Sequence, residues 1–507
     1  MLNRMLNRTV DQHPNQPAII CGSSKITYQE LQTRVLGLSG GLQSLGVKPS
    51  DCVALVLPKG SEFVISFFAI ARLNAIALLA NPAFKVDELK HYFEDSQVSV
   101  IITDVFRAET CRRVVEQLER PIKLVFVGEN AAADVSFQSL IDTPPDRVPP
   151  SNRFEGDVLY QYTSGSTGRP KRISRTQKNV FHQAENCVTT LGITATDNIL
   201  CIVPLYHAYG FGECLLAAAY SGATLVILEA CVKDGALVET PFVFRRAEVL
   251  ELIQRERISV LPSVPYINSI LAATPADDKV DLSSLRLCIS AGNFLSKDIF
   301  DKFLLKFGLP IRQLYGCTEA GAVSINMQPG TDIKDDSIGL PMRNVEIKVM
   351  DDEGHEVPPS AIGELAIKSE TLTQGYHNAP ELNREVFRQG YFFTGDLGRK
   401  DEQGYLYITG RKKIFIDTGG YKVDPLEIEE VLGAHPKVKE VVVVGAKQPY
   451  VGEVIKAVVV AAEGCQEQEL IEYCQTKLAD FKTPKLIEFR DEIPRSPLGK
   501  ILRKDLV

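Results

Sequence analysis

Short apolar runs alternate with segments of helical spacing along the first part of the chain. Residues 52–57 and 98–103 are mostly apolar, whereas residues 31–47 follow a helical pattern behind a capping box formed by Thr27 and Glu30. Continuous apolar strands are typical of parallel sheets that are buried on both faces, and helices between them form the crossovers. The pattern therefore predicts an α/β fold with a largely parallel sheet.

The same alternation returns after a proline-rich linker near residues 142–157, with strand-like runs at residues 158–163, 199–204, 224–228 and 285–290. From about residue 338 the β segments become shorter, which predicts a β-rich subdomain, and a compact α+β tail follows Arg411. A chain of 507 residues is too long for one hydrophobic core. We expect a large N-terminal domain over residues 1–411 and a small C-terminal domain over residues 412–507.

The composition is that of an ordinary globular protein, with 45% hydrophobic and 24% charged residues. A formal net charge of −8 argues against a protein that coats nucleic acid, although a local site can still bind phosphate. The cysteines form no C-x-x-C pair, and the histidines have no metal-ligand spacing. Eleven scattered cysteines and no signal-peptide pattern predict a cytoplasmic protein with reduced thiols. The most apolar stretch, residues 63–80, contains Arg72 and Asn74, so we expect no membrane span.

The segment with the strongest chemical signal is YTSGSTGRPK at residues 162–171, directly after an apolar strand. Glycines let the backbone approach a ligand closely, and successive N–H groups and hydroxyls can surround phosphate oxygens. Lys171 adds positive charge. The spacing differs from that of a P-loop, and the preceding strand favours a phosphate loop over a flexible Ser/Gly linker.

Other segments carry weaker signals when they are taken one at a time. In LYGCTEAG, Tyr315 can stack on a base, Thr318 can bond a phosphate and Glu319 can hold Mg²⁺. The segments TGD at residues 394–396, GRKKIFIDTGGYKVDP from residue 410 and PRSPLGKIL from residue 494 are each compatible with an ordinary turn, hairpin or tail. His207, in PLYHAYG, follows a strand, and a lone histidine is more often packed than catalytic.

In this order, YTSGSTGRPK, LYGCTE, TGD, GRKK and PRSPLGK resemble the motifs of the adenylate-forming superfamily. That superfamily contains acyl- and aryl-CoA synthetases, peptide-synthetase adenylation domains and firefly luciferase, and the resemblance runs from about residue 10 to the C-terminus. It implies a large N-terminal domain, a small mobile C-terminal domain and ATP bound between them. It also implies Mg²⁺ as a cofactor, with CoA or a carrier-protein phosphopantetheine as the thiol acceptor.

The resemblance also assigns roles to individual residues. Lys500, Glu319, Thr318 and His207 would act at the reacting groups, with Glu319 as the Mg²⁺ ligand. Lys413 would be the hinge, and Gly419, Gly420 and Tyr421 would belong to a loop for the second half-reaction. The implied nucleotide-binding residues are Thr163, Ser164, Gly165, Ser166, Thr167, Gly168, Lys171, Gly292, Asn293, Tyr315, Gly316, Asp396 and Arg411.

The implied chemistry accounts for these residue types. A carboxylate is a poor electrophile, and attack on the α-phosphate of ATP converts it to an acyl-adenylate with AMP as a good leaving group. Two anions meet in this step, so the site needs fixed positive charge, which Lys500 and Mg²⁺ would supply. A thiol then attacks the activated acyl group, and a hinged small domain can supply different contacts to the two steps.

The sequence departs from the family pattern after the phosphate loop. Arg172 and Gln177 stand where the family often has glycine and histidine, which makes the exit of the loop more basic. Ala208 stands where members that activate amino acids place an aspartate, and Ala208 cannot pair with an ammonium group. An acid without an α-amino group is therefore favoured. Glu213 is either a carboxylate for a cationic acid or an exposed helix residue.

The candidate pocket is mostly apolar, as small-ligand pockets usually are. Its expected lining residues are Tyr209, Phe211, Val264, Pro265, Asn293, Cys317 and Ala322.

Three functions remain in competition at this point. The first is an acyl- or aryl-CoA ligase, and the second is a stand-alone adenylation enzyme that loads an amino, imino or other acid onto a carrier protein. The chain lacks the insertion found in fatty-acyl-AMP ligases, which favours CoA as the acceptor. The third is a nucleotide-binding protein without catalysis, and the presence of Lys171, Glu319, Asp396 and Lys500 argues against it.

Overall fold

The structure is a computed structural model. It describes residues 1–128, 135–143, 156–163, 170–233, 236–238, 242–274, 281–293, 295–331, 333–411, 415–448, 452–494, 501 and 503–507. Residues 164–168 of the predicted phosphate loop, the predicted hinge Lys413 and the predicted catalytic residue Lys500 lie outside the described residues.

Helices occur throughout the chain. In chain order they are α1 (Leu2–Gln12), α2 (Tyr28–Ser44), α3 (Ser61–Arg72), α4 (Val86–Asp95), α5 (Ala108–Gln117), α6 (Phe137–Ile141), α7 (Gln177–Leu191), α8 (Ala208–Gly210), α9 (Ala217–Ser221), α10 (Arg246–Arg255), α11 (Pro265–Ala273), α12 (Lys297–Phe307), α13 (Pro380–Val386), α14 (Pro425–Gly433) and α15 (Glu467–Lys477). A π-helical segment, Phe211–Leu216, joins α8 to α9. Single 3₁₀ turns occur at Val105–Arg107, Phe242–Phe244, Asp480–Lys482 and Arg503–Leu506.

The strands of the first half of the chain are β1 (Pro17–Cys21), β2 (Ser24–Thr27), β3 (Cys52–Val56), β4 (Ile76–Leu79), β5 (Val98–Asp104), β6 (Lys123–Val127), β7 (Val135–Ser136), β8 (Asp157–Thr163), β9 (Lys171–Thr176), β10 (Asn198–Cys201), β11 (Thr224–Ile227), β12 (Cys231–Lys233), β13 (Ala236–Val238) and β14 (Val260–Ser263). Those of the second half are β15 (Leu287–Ser290), β16 (Ile311–Cys317), β17 (Gly321–Ile325), β18 (Leu340–Pro341), β19 (Val345–Met350), β20 (Gly363–Ser369), β21 (Phe387–Arg388), β22 (Tyr391–Lys400), β23 (Leu406–Arg411), β24 (Ile416–Thr418), β25 (Tyr421–Val423), β26 (Val438–Gln448), β27 (Gly452–Ala461) and β28 (Leu486–Phe489).

Two large sheets form the N-terminal part of the molecule. One has the strand order β7-β6-β5-β3-β4-β8-β9 and is parallel from β7 to β8. The other has the order β18-β17-β16-β15-β14-β10-β11-β1-β2, with parallel strands from β16 to β1 and antiparallel strands at both edges. Every residue of β3 and of β15 is buried, as expected for strands that helices cover on both faces.

The helices between these sheets share one apolar core with both of them. Leu55 from the first sheet and Ile199 from the second belong to the same cluster of buried residues as Phe67 of α3 and Val180 of α7. Helix α2 begins with the predicted capping box, because the Thr27 side chain accepts the backbone N–H of Glu30 while the Glu30 carboxylate accepts the backbone N–H of Thr27. The sandwich of helices between two sheets fixes how the strand ends of the two sheets face each other.

Two smaller units complete the fold. Strands β19, β20, β21, β22 and β23 form an antiparallel sheet with its own core around Ile347 and Leu365. Strands β26, β27 and β28, the hairpin β24–β25 and helices α14 and α15 enclose a separate core around Ile428 and Leu470. The predicted α/β layers, β-rich subdomain and small C-terminal α+β domain are therefore confirmed. The proposed boundary near residue 411 stays a prediction, since residues 412–414 are not described. Within the described ranges, no helix is both long and apolar enough to cross a bilayer.

Candidate active site

Two adjoining cavities open at the carboxyl ends of the parallel strands, where open α/β sheets bind ligands. We name them cavity A, of about 560 Å³, and cavity B, of about 520 Å³. Strands β10, β14, β15 and β16 lead into cavity A, and β8 leads into cavity B. The residues that line both cavities, which mark their junction, are Asn81, Tyr206, His207, Ala208, Gly316, Cys317, Thr318, Gly420, Tyr421 and Lys422.

The predicted nucleotide-binding residues that line cavity B are Thr163, Lys171, Gly316, Asp396 and Arg411, and Tyr315 contacts one of them. Asp396 and Arg411 are paired across β22 and β23, and the Arg411 Nε lies 2.9 Å from Asp396 Oδ1. The Tyr315 hydroxyl donates to the other carboxylate oxygen at 2.6 Å. Burial and the Asp396 carboxylate raise the pKa of Tyr315 well above its usual value, so the phenol keeps its proton. Tyr315 thus reaches the site through its hydroxyl, while its ring packs on the core of the β-rich subdomain.

Glu319 is another acidic residue in the wall of cavity B, and 6% of its surface is exposed. Its Oε1 accepts a hydrogen bond of 2.7 Å from the Tyr376 hydroxyl. Lys171 lies 5.9 Å above the Tyr376 ring, and Thr163 lines the same cavity. Tyr376 was not predicted as a site residue, because it lies in a segment that carries no recognisable motif and comes 57 residues after its partner.

His207 stands at the junction of the two cavities and faces the open space between them. Its Nδ1 accepts the backbone N–H of Tyr209 at 3.3 Å, so a neutral ring carries its proton on Nε2. Enclosure in the cleft and the nearby Lys422 ammonium lower the pKa of His207 to about 4. At neutral pH the ring is therefore an uncharged hydrogen-bond donor toward the site.

The C-terminal α+β domain supplies part of the wall of both cavities. Gly420, Tyr421 and Lys422 line the junction, and Tyr421 stacks on Phe481 with ring centroids 4.2 Å apart. Enclosure in the cleft, followed by the Arg411 charge, lowers the pKa of Lys422. The predicted loop residues Gly419, Gly420 and Tyr421 therefore lie at the site, and Lys422 joins them although the sequence did not single it out.

Most of the predicted pocket residues line cavity A, and three of them do not. Tyr209, Val264, Cys317 and Ala322 line it, together with Gly292 and Gly316. Phe211, Pro265 and Asn293 are not among its described lining residues.

Helical geometry explains the position of Phe211. Tyr209 and Glu213 share one face, since they are four residues apart, whereas Phe211 points into the core and packs edge-on against Phe67. Pro265 is buried in the first turn of α11, which leaves the flanking Val264 and Ile267 to line the cavity. Asn293 is exposed next to Gly292, whose φ of +90° turns the chain away after β15.

Glu213 is buried in the wall of cavity A, with 1% of its surface exposed. The alternative that it is an exposed helix residue is therefore wrong. Burial raises the pKa of its carboxyl to about 8. Cavity A also contains Lys59, whose Nζ donates to the Ile202 carbonyl at 2.7 Å and which the sequence did not indicate.

The two departures after the phosphate loop have structural partners. Arg172 is buried, contacts Asp95 and lies with its guanidinium 4.5 Å from the centre of the Tyr160 ring. The Gln177 side chain accepts the N-terminal ammonium of Met1 at 3.0 Å and donates to the Ala71 carbonyl at 3.2 Å. Gln177 therefore anchors the N-terminal helix to the central core, away from both cavities.

Comparisons with known proteins agree with this architecture. The family model "AMP-binding enzyme" matches residues 6–377, and the model "AMP-binding enzyme C-terminal domain" matches residues 427–500. Feruloyl-CoA synthase from Amycolatopsis sp is 33% identical over 502 residues, which cover 98% of this chain and 97% of the relative. Long-chain-fatty-acid–CoA ligase from Bacillus subtilis is 30% identical over 539 residues, which cover 100% of this chain and 94% of the relative.

A solved structure has the same fold over nearly its whole length. It is a double mutant of o-succinylbenzoate CoA synthetase from Bacillus subtilis bound to a product analogue. It superposes with a TM-score of 0.86 and 26% identity, covering 99% of this chain and 98% of that chain. These relatives are CoA ligases or synthetases, so a carrier protein as acceptor is not favoured. The chain belongs to the AMP-binding enzyme family and is an ATP-dependent ligase that joins a carboxylic acid to the thiol of CoA through an acyl-adenylate.

Proposed function

We propose that this ligase activates an aromatic carboxylic acid, which binds in cavity A while ATP binds in cavity B. The observation that carries the proposal is the junction at His207 and Thr318, where a largely apolar cavity meets one that contains Asp396, Arg411 and Lys171. The aromatic class is supported by the names of two of the relatives, a feruloyl-CoA synthase and an o-succinylbenzoate CoA synthetase. Tyr209 and Tyr266 in the wall of cavity A offer aromatic surfaces to such a ring.

The residues of cavity B fit a nucleotide with its magnesium ion. Asp396 would accept hydrogen bonds from the ribose hydroxyls. Arg411, which pairs with Asp396, would contact the ribose and the phosphate. Thr163 and Lys171 would hold the pyrophosphate together with residues 164–168, and Gly316 and Tyr315 would border the adenine.

Glu319 would hold Mg²⁺, since magnesium is usually bound by one or two carboxylates together with substrate phosphates. Consistent with this mode, the described residues contain no cluster of three or more His, Cys, Asp or Glu side chains that could hold the ion alone. The ion would neutralise charge on the phosphates during the first step.

The first step takes place at the junction. A carboxylate oxygen attacks the α-phosphorus, the bond to pyrophosphate breaks, and the acyl-adenylate remains. Thr318 would contact the α-phosphate, and the neutral His207 would donate from Nε2 to the carboxylate. Lys500 would add positive charge to this step.

In the second step the CoA sulfur attacks the acyl carbon, the bond to AMP breaks, and the thiol proton leaves to solvent. Residues 419–422 would border the path of the thiol. We assign residues 412–507 to a mobile domain that turns about Lys413 between the two steps. The eleven free thiols fit a reducing compartment, which supports a cytoplasmic location.

Acid-dependent release of pyrophosphate from Mg-ATP tests the proposal. The panel contains benzoates, cinnamates, short and long fatty acids and amino acids, and each positive acid is repeated with CoA. We expect turnover with one aromatic class and its acceleration by CoA. Turnover confined to fatty acids would contradict the aromatic assignment and leave the ligase activity intact.

A further inference from the structure

Arg175 is a fully buried arginine of β9, four residues after Lys171, the last residue of the predicted phosphate loop. Burial lowers its pKa to about 10, so the guanidinium is still charged at neutral pH. Its Nη1 donates to Gln183 Oε1 at 2.7 Å, and its Nη2 donates to the Thr371 carbonyl at 3.0 Å. Both acceptors are uncharged, so neither compensates the free energy of taking the cation out of water. What Arg175 does is therefore defined by the two groups that it holds.

The first acceptor, the Thr371 carbonyl, begins a segment that contacts Glu319 twice. The backbone N–H of Thr373 donates to the Glu319 carbonyl at 2.8 Å, and the Tyr376 hydroxyl donates to Glu319 Oε1 at 2.7 Å. The segment also stays close to β9, since the Thr373 hydroxyl donates to the Ser174 carbonyl at 2.7 Å. Arg175 therefore fixes the start of the segment that orients the Glu319 carboxylate.

The second acceptor, Gln183 of α7, packs against the end of the turn that carries Thr318 and Glu319. Gly321, two residues after Glu319, has a φ of +74°, and a Cβ at this position would collide with the Gln183 amide. The shape of the turn therefore depends on where this amide lies. Because Arg175 bonds the amide oxygen, it fixes the amide against Gly321. One guanidinium thus holds both groups that brace the turn.

The side chain at this position has to donate two hydrogen bonds in different directions. A planar guanidinium does so from separate nitrogens in a fixed geometry, whereas a lysine ammonium donates from a single nitrogen. A methionine would fill a similar volume and leave both acceptors of Arg175 unpaired in the protein interior. The chemistry of arginine therefore matches the role of a brace.

We propose that Arg175 is a positioning residue for the first half-reaction, because its bonds to Gln183 and Thr371 keep Thr318 and Glu319 in the geometry that binds the nucleotide with its metal ion. This inference rests on the proposed function, since it takes Glu319 as the metal ligand. Loss of Arg175 should weaken metal binding by way of Glu319. The attack of the thiol on the acyl-adenylate involves no pyrophosphate, so it should be affected less.

Binding of Mn²⁺ tests the inference without turnover. The EPR signal of free Mn²⁺ measures the dissociation constant of the ion from the complex of the enzyme with a non-hydrolysable ATP analogue. Arg175→Met should raise this constant by about tenfold or more, as expected when a group that orients a metal ligand is lost. Arg175→Lys, which keeps the charge and loses one of the two bonds, should raise it less. Should Arg175→Met fail to fold, Arg175→Lys carries the same test.

A double-mutant cycle with Tyr376→Phe identifies the route of the effect. Changes that act through the same contact are not additive, whereas independent changes add. If Arg175 acts through the segment that carries Tyr376, Arg175→Met should raise the Mn²⁺ dissociation constant of the Tyr376→Phe variant much less than that of the wild type. Single-turnover kinetics should show slower adenylate formation and little change in thioester formation from a supplied acyl-adenylate.

Arg286→Met is the matched control, because Arg286 donates to Asp197 at 2.8 Å and to the Gly192 carbonyl at 2.9 Å outside both cavities. It should lower the free energy of unfolding and leave the Mn²⁺ dissociation constant unchanged. An unchanged constant in the Arg175 variants, full additivity in the cycle, or an equal rise in Arg286→Met would each overturn the inference while Glu319→Gln still weakens Mn²⁺ binding. Unchanged Mn²⁺ binding in Glu319→Gln would overturn the metal assignment of the proposed function and the inference with it.

Discussion

Lys482 Nζ lies 2.7 Å from Glu88 Oε1, and this buried ion pair joins the C-terminal domain to α4 of the N-terminal domain. The same ammonium is 2.7 Å from Glu427 Oε1 and 4.8 Å from the centre of the Phe84 ring. Burial alone would lower the pKa of Lys482, but the carboxylates of Glu427 and Glu88 outweigh it and raise the pKa, so the lysine stays charged. The pair holds the domain in the position in which Gly420 and Lys422 line both cavities.

Lys482→Met should therefore slow the second half-reaction more than the first. It leaves the Glu88 carboxylate buried without a partner, and breaking a buried pair costs about 3–5 kcal/mol. The loss therefore destabilises the observed arrangement of the two domains. We expect CoA-dependent consumption of a supplied acyl-adenylate to fall by about tenfold or more, with a smaller effect on adenylate formation, measured by single-turnover kinetics of each step.

The exposed pair of Lys477 and Asp87, 2.9 Å apart between α15 and α4, provides the control. Exposed pairs contribute about 0–1 kcal/mol, so Lys477→Met should leave both steps nearly unchanged. The double variant Glu88→Gln with Lys482→Met should recover part of the lost rate, because it removes the unpaired charge at residue 88 and leaves only the more exposed Glu427 carboxylate without its lysine. Equal slowing of both steps by Lys482→Met would refute a specific role in the observed arrangement.

Tyr376→Phe should raise the Mg²⁺ concentration that the first step requires. The change removes the hydroxyl that holds the Glu319 carboxylate at 2.7 Å, and loss of a group that orients a metal ligand typically costs ten- to a hundredfold in metal affinity. We expect a higher Mg²⁺ concentration for half-maximal pyrophosphate release at saturating ATP. Tyr391→Phe, which removes an equivalent 2.7 Å bond to the exposed Glu346, should leave that concentration unchanged. An unchanged requirement in Tyr376→Phe would separate Glu319 from the metal.

The architecture was predicted well because helix and strand patterns depend on interactions between residues that are close in the sequence. The capping box at Thr27 and the apolar runs of β3 and β5 depend on neighbouring residues, and the structure contains both features at those positions. Thr318 and Asp396 were identified through motifs, and both line cavity B.

Long-range partners were beyond prediction. Tyr376 and Glu319 are 57 residues apart, and Lys482 and Glu88 are 394 apart, so no periodicity or spacing links them. Phe211 was expected in the pocket for its aromatic side chain. Helical geometry instead directs Phe211 into the core against Phe67 and places Glu213 in the wall of cavity A. The roles of Lys413 and Lys500 stay predictions.

Lys422→Gln should raise the pKa of His207. A positive charge beside an imidazole disfavours its protonated form, so removal of that charge moves the pKa from about 4 toward the ordinary value of 6.5. The acid limb of the pH profile for pyrophosphate release should then move to higher pH, whereas Lys422→Arg, which keeps the charge, should leave it in place. Coincident acid limbs in the wild type and Lys422→Gln would show that His207 does not control the first step.

Glu213→Gln should stabilise the folded enzyme at neutral pH. The native carboxyl has a pKa of about 8, whereas a glutamate in the unfolded chain has its ordinary pKa of 4.5, so the unfolded state ionises over this range while the native state holds its proton. The native state is therefore unpenalised below pH 4.5 and loses stability as the pH rises from 4.5 to about 8. At pH 7 the loss is roughly 3 kcal/mol, taking 1.36 kcal/mol per pKa unit.

Urea unfolding at pH 5 and pH 7.5 measures the free energy of unfolding of the wild type and of each variant. The stability gain of Glu213→Gln should be small at pH 5 and large at pH 7.5, while Glu251→Gln, which removes an exposed carboxylate paired with Arg255, should show no such rise. A gain that is independent of pH would mean that Glu213 is ionised in the native enzyme.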